Sequence, residues 1–595
     1  MEKKALMLLI GFAFTLPMVL SILAGGDAVG ASNSTPGGKS TAAPAPGSPS
    51  NVLPPSIMPV VILKGSDYDM GYQYGQQAGP WMEKRKEALW AAVSSKKPEE
   101  VQQCLEAFEG YIKQYAPEAI TILKGMVDGA KAAGSNVTYK DALMLNWSSS
   151  SVSLPTRKTP AGPGKITKSS GGATDADGGC SHFCAWGSVT PDGKLVCGDS
   201  SDQIFGYQVT LVMFPDQGNA YVSTALAGDL ARHPAFNNKG VFLGSSGGFA
   251  RRNIDSGYGL SRPIAVYQMI RFANTAKEAK DMFIPWKYAG GNNFSLSDVS
   301  GDAYVVEVTA ACKGVRRVGD FGEKDFIYAT NNYFTRECKD AIMGEKWIEH
   351  AGWIGSNTTA WNVSSIFRNI EFWNLFQNYR GKIGLEFAKM IYRFDGNPPP
   401  SDKSLKTYLA THGKGWDPRI ANSLTAIVAI SQPDKGDKGA IHVCTGPASR
   451  TTCPLFPGAG CDDYQIENTY TFYRLTLAAG PAATVTHAKN DAKDSIAATH
   501  GQLMKMKFTD LGYRDLNEQF SVAKTKYYEG LAWQNKALLA KGNEALLFFA
   551  EAASAFTSCQ AYAKQVYEAM VPPPRSPKDL GLGDYLGSWG KWATK

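Results

Sequence analysis

A tract with too few hydrophobic residues to form a core divides this chain into two parts with different hydrophobic patterns. Residues 155–179, PTRKTPAGPGKITKSSGGATDADGG, are rich in Pro, Gly, Ser, Thr and Lys and show no hydrophobic period, which predicts an exposed connector. Helical periodicity precedes the tract, and strand-like runs begin directly after it. The Gly179–Cys180 bond stands at this junction. Such a position suits a precursor that cleaves itself there and leaves Cys180 with both a thiol and a free α-amino group.

A cysteine with a free α-amino group is a nucleophile and a base in one residue. The reference pKa of an α-amino group is about 7.7 and that of a thiol about 8.5, so the amine can accept the thiol proton near neutral pH without a catalytic histidine. The alternative for Cys180 is a buried or disulfide-bonded cysteine. The preceding connector and the adjoining Gly179 favour the nucleophile. Cys184 is predicted to be a packed thiol, and His182 lacks the cross-domain geometry of a papain-like Cys–His pair.

Composition indicates a large globular protein. The 595 residues exceed the usual size of one domain, and 44% hydrophobic with 19% charged residues excludes a disordered chain. The net charge of +7 is spread thinly along the chain. No long run of Lys and Arg is present, so we expect no nucleic-acid partner.

The N-terminus predicts export. Glu2-Lys3-Lys4 precedes an apolar stretch and small residues, so residues 1–31 are predicted to be a signal peptide, with an uncleaved membrane anchor as the alternative. Residues 32–56 form a Ser/Pro-rich linker. We therefore expect a secreted or cell-envelope protein. Among ten cysteines, Cys453 and Cys461 bracket a Pro/Gly-rich loop and are the predicted disulfide pair.

Periodicity predicts an α+β fold with helices at both ends. Residues 57–155 form a largely helical segment before the candidate nucleophile, and residues 156–179 form the exposed processing linker. Residues 180–480 alternate strands with helices, which indicates layered α+β packing. Local signals predict a capping box at Thr138 to Asp141, a helix start at Pro263, a helix cap at Thr275 and a hairpin turn at 300–302. Residues 481–572 are predicted to be a helical extension, with a long Ala-rich helical stretch from 518 to 570, and 573–595 a tail. The extension either covers the core, makes a dimer contact or contacts substrate.

Short motifs in a fixed order carry a family resemblance over roughly residues 58–475. They are, along the chain, Gly65-Ser66, Met70-Gly71 and Gly75; Pro117 and Gly125; Leu145-Asn146; Gly179-Cys180-Ser181 with Ala185-Trp186-Gly187; Gly198 and Asp202; RPIAVYQMIRFANTAKEAKDMF; NNFSLSDVSGDAYVVEV; Ala329 to Phe334; and the Gly-Pro of HVCTGPASR. On these motifs the chain resembles the penicillin acyltransferase (isopenicillin N acyltransferase)-like family of N-terminal-nucleophile cysteine hydrolases, in its secreted branch. The resemblance implies a four-layer αββα sandwich whose two self-cleaved fragments stay associated.

The resemblance also implies roles for particular residues. Asp202 would orient the new amine and the nucleophile, and Asn331 would donate a hydrogen bond to the oxyanion of the tetrahedral intermediate. A turn aspartate and a loop asparagine are the respective alternatives. Ser200 stands where the family has an asparagine, which leaves the contact of that amide open.

Two further residues are candidates for substrate binding. Ser246 lies where related enzymes often place a second amide donor. Arg251 follows a Gly-rich turn and is a candidate for bidentate binding of a substrate carboxylate, with a solvated surface residue as the alternative. The histidines show no metal-ligand spacing and the glycine pairs match no nucleotide-binding pattern, so we expect no metal and no cofactor.

These observations predict an exported, self-processing amidohydrolase or acyltransferase. It would act on linear amides or small peptides through an acyl-thioester on Cys180, and an acyl-donor thioester is a further candidate substrate. The alternative is a non-catalytic cell-envelope module that binds or supports other components on the same fold. The acyl and amine groups and the oligomeric state are left open.

Overall fold

The structure is a computed structural model that describes residues 57–147, 180–202, 207–248, 258–338, 347–350, 353–356, 360–394, 420–421, 425–446, 448 and 470–585. Within these ranges, no helix combines the length and the apolar character that crossing a bilayer requires. The predicted signal peptide, both linkers and the Cys453–Cys461 pair lie outside the described residues.

The segment before Cys180 begins with a strand that the sequence pattern did not reveal. The elements of this segment are β1 (Val60–Gly65), α1 (Asp67–Ala92), α2 (Pro98–Tyr115), α3 (Pro117–Ala132) and α4 (Tyr139–Trp147). The predicted capping box is confirmed, since Thr138 N donates to Asp141 Oδ2 (2.8 Å) and Asp141 N donates to Thr138 Oγ1 (3.2 Å). The first four residues of β1 are apolar and buried, so this strand lacks the alternation that a half-exposed strand would show.

Glycines bring helices α1 and α3 into direct backbone contact. A Cβ atom added at Gly71 would lie 2.0 Å from Ile122 O, and one added at Gly129 would lie 1.9 Å from Tyr72 O. A Cβ atom added at Gly75 would lie 2.1 Å, and one added at Gly125 2.2 Å, from a carbonyl oxygen of the facing helix. Three glycines of the family resemblance, at 71, 75 and 125, therefore serve helix packing.

The described strands form two large sheets and a hairpin. Sheet A has eight strands in the order β1-β4-β5-β6-β7-β8-β9-β10, and sheet B has six in the order β11-β2-β3-β14-β15-β16. Only β1 and β4 pair in parallel among the described strand pairs of these sheets. The strands after Cys180 are β2 (Ser181–Gly187), β3 (Gly193–Asp202), β4 (Gln208–Pro215), β5 (Tyr221–Leu226), β6 (Ala235–Asn237), β7 (Val241–Gly247), β8 (Asn292–Asp298), β9 (Ala303–Val308), β10 (Lys313–Arg317), β11 (Phe326–Ala329), β12 (Trp347–His350), β13 (Trp353–Ser356), β14 (Thr425–Gln432), β15 (Ala440–Thr445) and β16 (Phe472–Thr476).

Helices lie between the strands after Cys180, and the first two begin where start signals are predicted, at Pro263 and Thr275. They are α5 (Arg262–Phe272), α6 (Ala276–Phe283), α7 (Ala360–Asn378) and α8 (Leu385–Arg393). Thr275 caps α6 as predicted, because its side chain accepts from Glu278 N. The hairpin predicted at 300–302 joins β8 to β9, with Gly301 at a φ of 88°.

Buried apolar side chains form three clusters among the described residues. One lies between helices α1 to α6 and sheet A, and includes Leu63, Leu211 and Leu243. The second contains side chains from both sheets, including Phe242 of β7, together with side chains from the helices near the C-terminus. The third lies between sheet B and helices α7 and α8, and includes Phe183. The fold is thus mixed α and β with two sheets that face each other.

The C-terminal helices close the edges of both sheets. The predicted Ala-rich stretch is two helices, because the chain turns at Ala540 and Lys541; the three C-terminal helices are α9 (Pro481–Leu503), α10 (Tyr513–Leu539) and α11 (Gly542–Met570). On α11, Ser554 Oγ accepts from Val60 N of β1 (2.8 Å) and Gln560 Oε1 accepts from Arg474 N of β16 (2.8 Å). These bonds satisfy edge-strand groups that would otherwise be exposed for pairing.

Candidate functional site

Cys180 is buried directly before β2, in the inner part of sheet B. It is 0% exposed in the uncleaved chain. Side chains alternate along β2: His182 and Cys184 face sheet A, while Ser181 and Phe183 face helices α7 and α8. The candidate nucleophile thus stands at the end of a strand that is buried on both faces.

A buried arginine joins Cys180 to Asn331. Arg368 of α7 is 0% exposed, and its guanidinium donates to the Cys180 carbonyl (2.8 Å), to Ser181 Oγ (2.7 Å) and to Asn331 Oδ1 (2.8 Å). An arginine side chain has donors only, in a rigid planar fork, so it fixes the positions of the acceptors that it binds. Sequence reasoning missed Arg368. The sequence does contain a signal for this residue, because Arg368 is a single cation within the aromatic pattern IFRNIEFWNLF. A charge that is buried among aromatic side chains requires polar partners.

Asn331 is held on both sides of its amide. Besides the bond from Arg368, its Nδ2 donates to Gly247 O at the end of β7 (2.8 Å), and its backbone N–H donates to Ser365 Oγ (2.9 Å). The neighbouring Asn332 is 1% exposed, and neither polar atom of its side chain has a hydrogen-bond partner among the described residues. Two adjacent buried amides therefore differ: protein contacts fix the first, whereas no hydrogen bond from the described residues fixes the second.

Ser246 belongs to a polar network between the sheets. Its hydroxyl donates to Thr330 O and lies 3.1 Å from His182 Nε2. His182 Nδ1 lies 2.7 Å from Ser295 Oγ of β8. Burial lowers the pKa of His182 to about 3, so the imidazole is neutral at physiological pH. The predicted substrate-binding role of Ser246 stays a prediction, and the structure gives its hydroxyl internal partners.

A second buried chain of polar groups adjoins this network. Arg262 donates to His233 Nε2 (3.1 Å), and because a guanidinium can only donate, His233 carries its proton on Nδ1. That proton is donated to Asp199 Oδ1 (2.9 Å), whose other oxygen accepts from Ser245 N (3.1 Å). Burial raises the pKa of Asp199 to about 7. Sequence reasoning selected Asp202 and missed Asp199, three residues earlier on the same strand.

The two sheets approach closely at Gly244. A Cβ atom there would lie 2.9 Å from His182 Cβ and 3.0 Å from Asp199 Oδ2. The absence of a side chain at this position therefore lets β7 pack against β2 and β3 next to the candidate nucleophile.

For several predicted site residues, the side chain lies outside the described part of the structure. Asp202 ends β3 and pairs with Thr425 of β14, but its side chain is outside the described part, as are Gly179 and Arg251. Ser200, in the family's asparagine position, accepts from Ser181 N (3.1 Å). The structure thus joins Cys180 to Asn331 through Arg368, and Ser246 contacts Thr330, the residue before Asn331.

No metal-binding group of His, Cys, Asp or Glu side chains occurs within the described ranges. A cavity of about 320 Å³ lies elsewhere, between the C-terminal helices and the core. Its lining includes Lys389, His442, Arg474, Asp491 and Lys564. Because none of these residues adjoins Cys180 in sequence or belongs to the Arg368 network, we do not assign the cavity to the candidate site.

Comparisons with known proteins show similarity over only part of the chain and at low sequence identity. No family model matches the chain. An uncharacterized protein of Archaeoglobus fulgidus is 26% identical over 312 residues, which cover 47% of this chain and 51% of the relative, so the chain spans about half the length of the curated relative it matches.

Two solved structures are weakly similar. Penicillin V acylase from Agrobacterium tumefaciens aligns with 45% of this chain and 83% of its own, at 11% identity and a TM-score of 0.23. A mutant of conjugated bile acid hydrolase from Clostridium perfringens aligns with 44% of this chain and 89% of its own, at 12% identity and a TM-score of 0.25. Scores this low carry no conclusion about this chain.

Proposed function

We propose that this chain is an exported N-terminal-cysteine amidohydrolase or acyltransferase that matures by cleaving its own Gly179–Cys180 bond. The observation that carries the proposal is the Arg368 contact, which joins the Cys180 carbonyl to the Asn331 amide. It relates a candidate nucleophile to a candidate oxyanion donor that lies 151 residues later in the chain (331 − 180).

Maturation begins with attack of the Cys180 thiol on the Gly179 carbonyl. The peptide bond is exchanged for a thioester, and water then releases Gly179 as a carboxylate and restores the thiol. The residue is left with a free α-amino group. Full burial of Cys180 in the uncleaved chain is consistent with a site that opens only after this cleavage.

The mature residue then uses its own amine as the base. The amine takes the thiol proton while sulfur attacks the substrate carbonyl, and it returns a proton to the departing amine, which leaves an acyl-thioester. Water or a second amine then releases the acyl group. The Arg368 cation, bound to the carbonyl of the same residue, favours the neutral form of the α-amine because a nearby positive charge disfavours the ammonium.

Asn331 is assigned to the oxyanion of the tetrahedral intermediate. The assignment follows the family resemblance, and the structure fixes the amide in position, since its nitrogen donates to Gly247 O (2.8 Å). Arg368 and Gly247 restrict the rotation of this amide before substrate arrives. Such preorganisation is the usual basis of oxyanion stabilisation.

The fold proposal is a four-layer αββα sandwich. Three clusters support it, since one lies between helices and sheet A, one receives side chains from both sheets, and one lies between sheet B and helices. Association of the two fragments after cleavage is supported by β1, which precedes Cys180 in sequence yet pairs with β4 in sheet A.

Covalent labelling tests the identity of the nucleophile. The purified protein is incubated with an electrophilic amide or β-lactam probe, and the adduct is located by mass spectrometry. We expect the adduct on Cys180 and its loss in Cys180→Ala. Cys184→Ala is the matched control, since this buried thiol lies four residues later on β2, and it should label as the wild type does. Labelling of Cys184 with Cys180 unmodified would contradict the assignment, and an unlabelled, uncleaved protein would favour the non-catalytic envelope module.

A further inference from the structure

Two cysteines far from the candidate nucleophile in sequence are in direct contact. Cys312 lies between β9 and β10, and Cys338 lies 26 residues later; their Sγ atoms are 2.8 Å apart. A covalent S–S bond is about 2.05 Å long, so the two atoms need to move by less than about 1 Å to reach bonding distance, on the order of a side-chain adjustment. Both residues are thiols in the structure.

We propose that Cys312 and Cys338 form a disulfide bond that fastens the segment carrying Asn331 to the β9–β10 hairpin. Formation of the bond does not depend on the proposed function. Its expected effect on catalysis does, because that effect acts through Asn331.

The surrounding contacts hold the two cysteines together. Glu307 of β9 accepts from Phe334 N (2.6 Å), Thr335 N (2.9 Å) and Thr335 Oγ1 (2.7 Å). Cys338 N donates to Thr335 O (3.2 Å), and Cys338 Sγ lies 3.7 Å from Glu307 O. The segment from 334 to 338 is thus bound to β9 by the buried carboxylate of Glu307, which is 0% exposed.

The backbone around Cys312, between β9 and β10, is also held in place. Thr309 N donates to Cys312 O (2.9 Å), and Thr309 Oγ1 lies 3.2 Å from Cys312 Sγ. A Cβ atom at Gly314 of β10 would lie 2.0 Å from Thr335 Oγ1, so the two segments touch without intervening atoms. Because both backbones are positioned independently of the sulfur atoms, the bond can form without rearrangement of the fold.

Bond formation requires a disulfide oxidant, such as glutathione disulfide or a thiol–disulfide oxidoreductase. Cys312 is partly exposed and Cys338 is buried, so the Cys312 thiolate attacks the oxidant and forms a mixed disulfide. The Cys338 thiolate then displaces the second thiol of the oxidant. Both cysteines lose a proton, and the two electrons reduce the oxidant to its thiols.

Cysteine mapping tests the bond directly. The full-length protein is incubated with glutathione disulfide, unfolded without reductant in iodoacetamide, and digested for mass spectrometry. We expect a linked Cys312–Cys338 peptide pair, while Cys104 and Cys559, buried thiols in other parts of the fold, become carbamidomethylated. Carbamidomethylation of both Cys312 and Cys338 would overturn the proposal.

Thermal unfolding gives a second readout that needs no activity. Dithiothreitol should lower the Tm of the oxidised wild type by several degrees, to that of Cys312→Ser, and should leave Cys312→Ser unchanged. Cys104→Ser is the control and should keep the response to dithiothreitol. An equal Tm for oxidised and reduced wild type would contradict a stabilising bond.

The activity readout separates this proposal from the proposed function. If both hold, reduction lowers kcat without loss of the Cys180 adduct. A mapped disulfide in a protein that never labels at Cys180 would refute the proposed function alone. An active, labelled protein with free Cys312 and Cys338 would refute the disulfide alone.

Discussion

Strands β2 and β7 each contribute to two regions of the interface between the sheets, and these regions differ in chemistry. At one end, Cys184 and Trp186 of β2 and Phe242 of β7 belong to an apolar cluster. Further along the same two strands, His182 and Ser246 belong to a hydrogen-bonded polar network beside Cys180. We call these regions the apolar half and the polar half of the interface.

The difference separates stability from positioning. Buried apolar area stabilises the fold without directional preference, at about 25 cal/mol per Å². Buried hydrogen bonds contribute about 1 kcal/mol net each, but they fix the atoms that they join. We therefore expect substitutions in the apolar half to change mainly the free energy of unfolding, and substitutions beside Cys180 to change mainly the chemistry.

The largest effect on stability is expected for Phe242→Ala. Phe242 is 0% exposed in the apolar half, and removing a buried phenylalanine side chain typically costs about 3–5 kcal/mol. Chemical denaturation measures the loss, and the rate of Cys180 labelling per folded molecule should be unchanged. Tyr528→Ala, at an exposed position on α10, should cost less than about 0.5 kcal/mol. A fall in labelling rate larger than the loss of folded protein would show that the two halves are not separable.

The next effect concerns catalysis. Asn331→Ala should lower kcat roughly a hundred- to a thousand-fold while KM and the fold change little, because an oxyanion contact acts mainly in the transition state. The measurement uses a chromogenic acyl anilide that the wild type hydrolyses, and it is made on the processed fraction, since self-cleavage passes through a similar intermediate.

Asn332→Ala is the matched control for Asn331→Ala. The two amides are adjacent and buried, but Arg368 and Gly247 hold only the first of them in the described contacts. We expect Asn332→Ala to keep kcat within about ten-fold of the wild type. The reverse pattern, with wild-type kcat in Asn331→Ala, would move the donor role to Asn332.

The smallest expected effect is a pH dependence of stability in the polar half. The pKa of His182 is lowered by burial from about 6.5 to about 3, so below about pH 6.5 the unfolded chain binds a proton that the folded chain does not. Stability therefore falls as pH decreases through this window, with a slope of up to about 1.4 kcal/mol per pH unit from this residue.

His182→Gln should reduce that slope between about pH 6 and 4, whatever its effect on the absolute stability. Met504→Gln, at an exposed position that carries no titratable group, should leave the slope unchanged. Equal slopes for the wild type and His182→Gln would mean that His182 takes up a proton in the folded state.

Much of the fold could be predicted from local pattern. The capping box at Thr138, the N-cap at Thr275 and the hairpin at Gly301 depend on neighbouring residues, and all three are present. Strand β1 was missed because a strand buried on both faces lacks alternation. The break near Lys541 was missed although Gly542, at a φ of 58°, and Asn543 mark it, because Ala-rich helical composition lies on both sides of this short signal.

The site was predicted only where a motif marked it. Cys180 and Asn331 carried local signals, whereas Arg368, Asp199 and His233 depend on contacts across long sequence separations. A buried charge or imidazole has no pattern of its own until its partners are known. The Cys312–Cys338 contact was missed because the two residues lie outside the strands and helices, 26 residues apart, and only the fold brings them together.

The central claim is that Cys180 becomes an N-terminal residue, and intact mass spectrometry of the purified, denatured and reduced protein tests it most directly. The account predicts a fragment with the mass of residues 180–595 and a second fragment that ends at Gly179, which co-purify before denaturation. Cys180→Ala should give one uncleaved chain. A folded wild type that remains joined across Gly179 and Cys180, with the same single mass pattern as Cys180→Ala, would contradict the account.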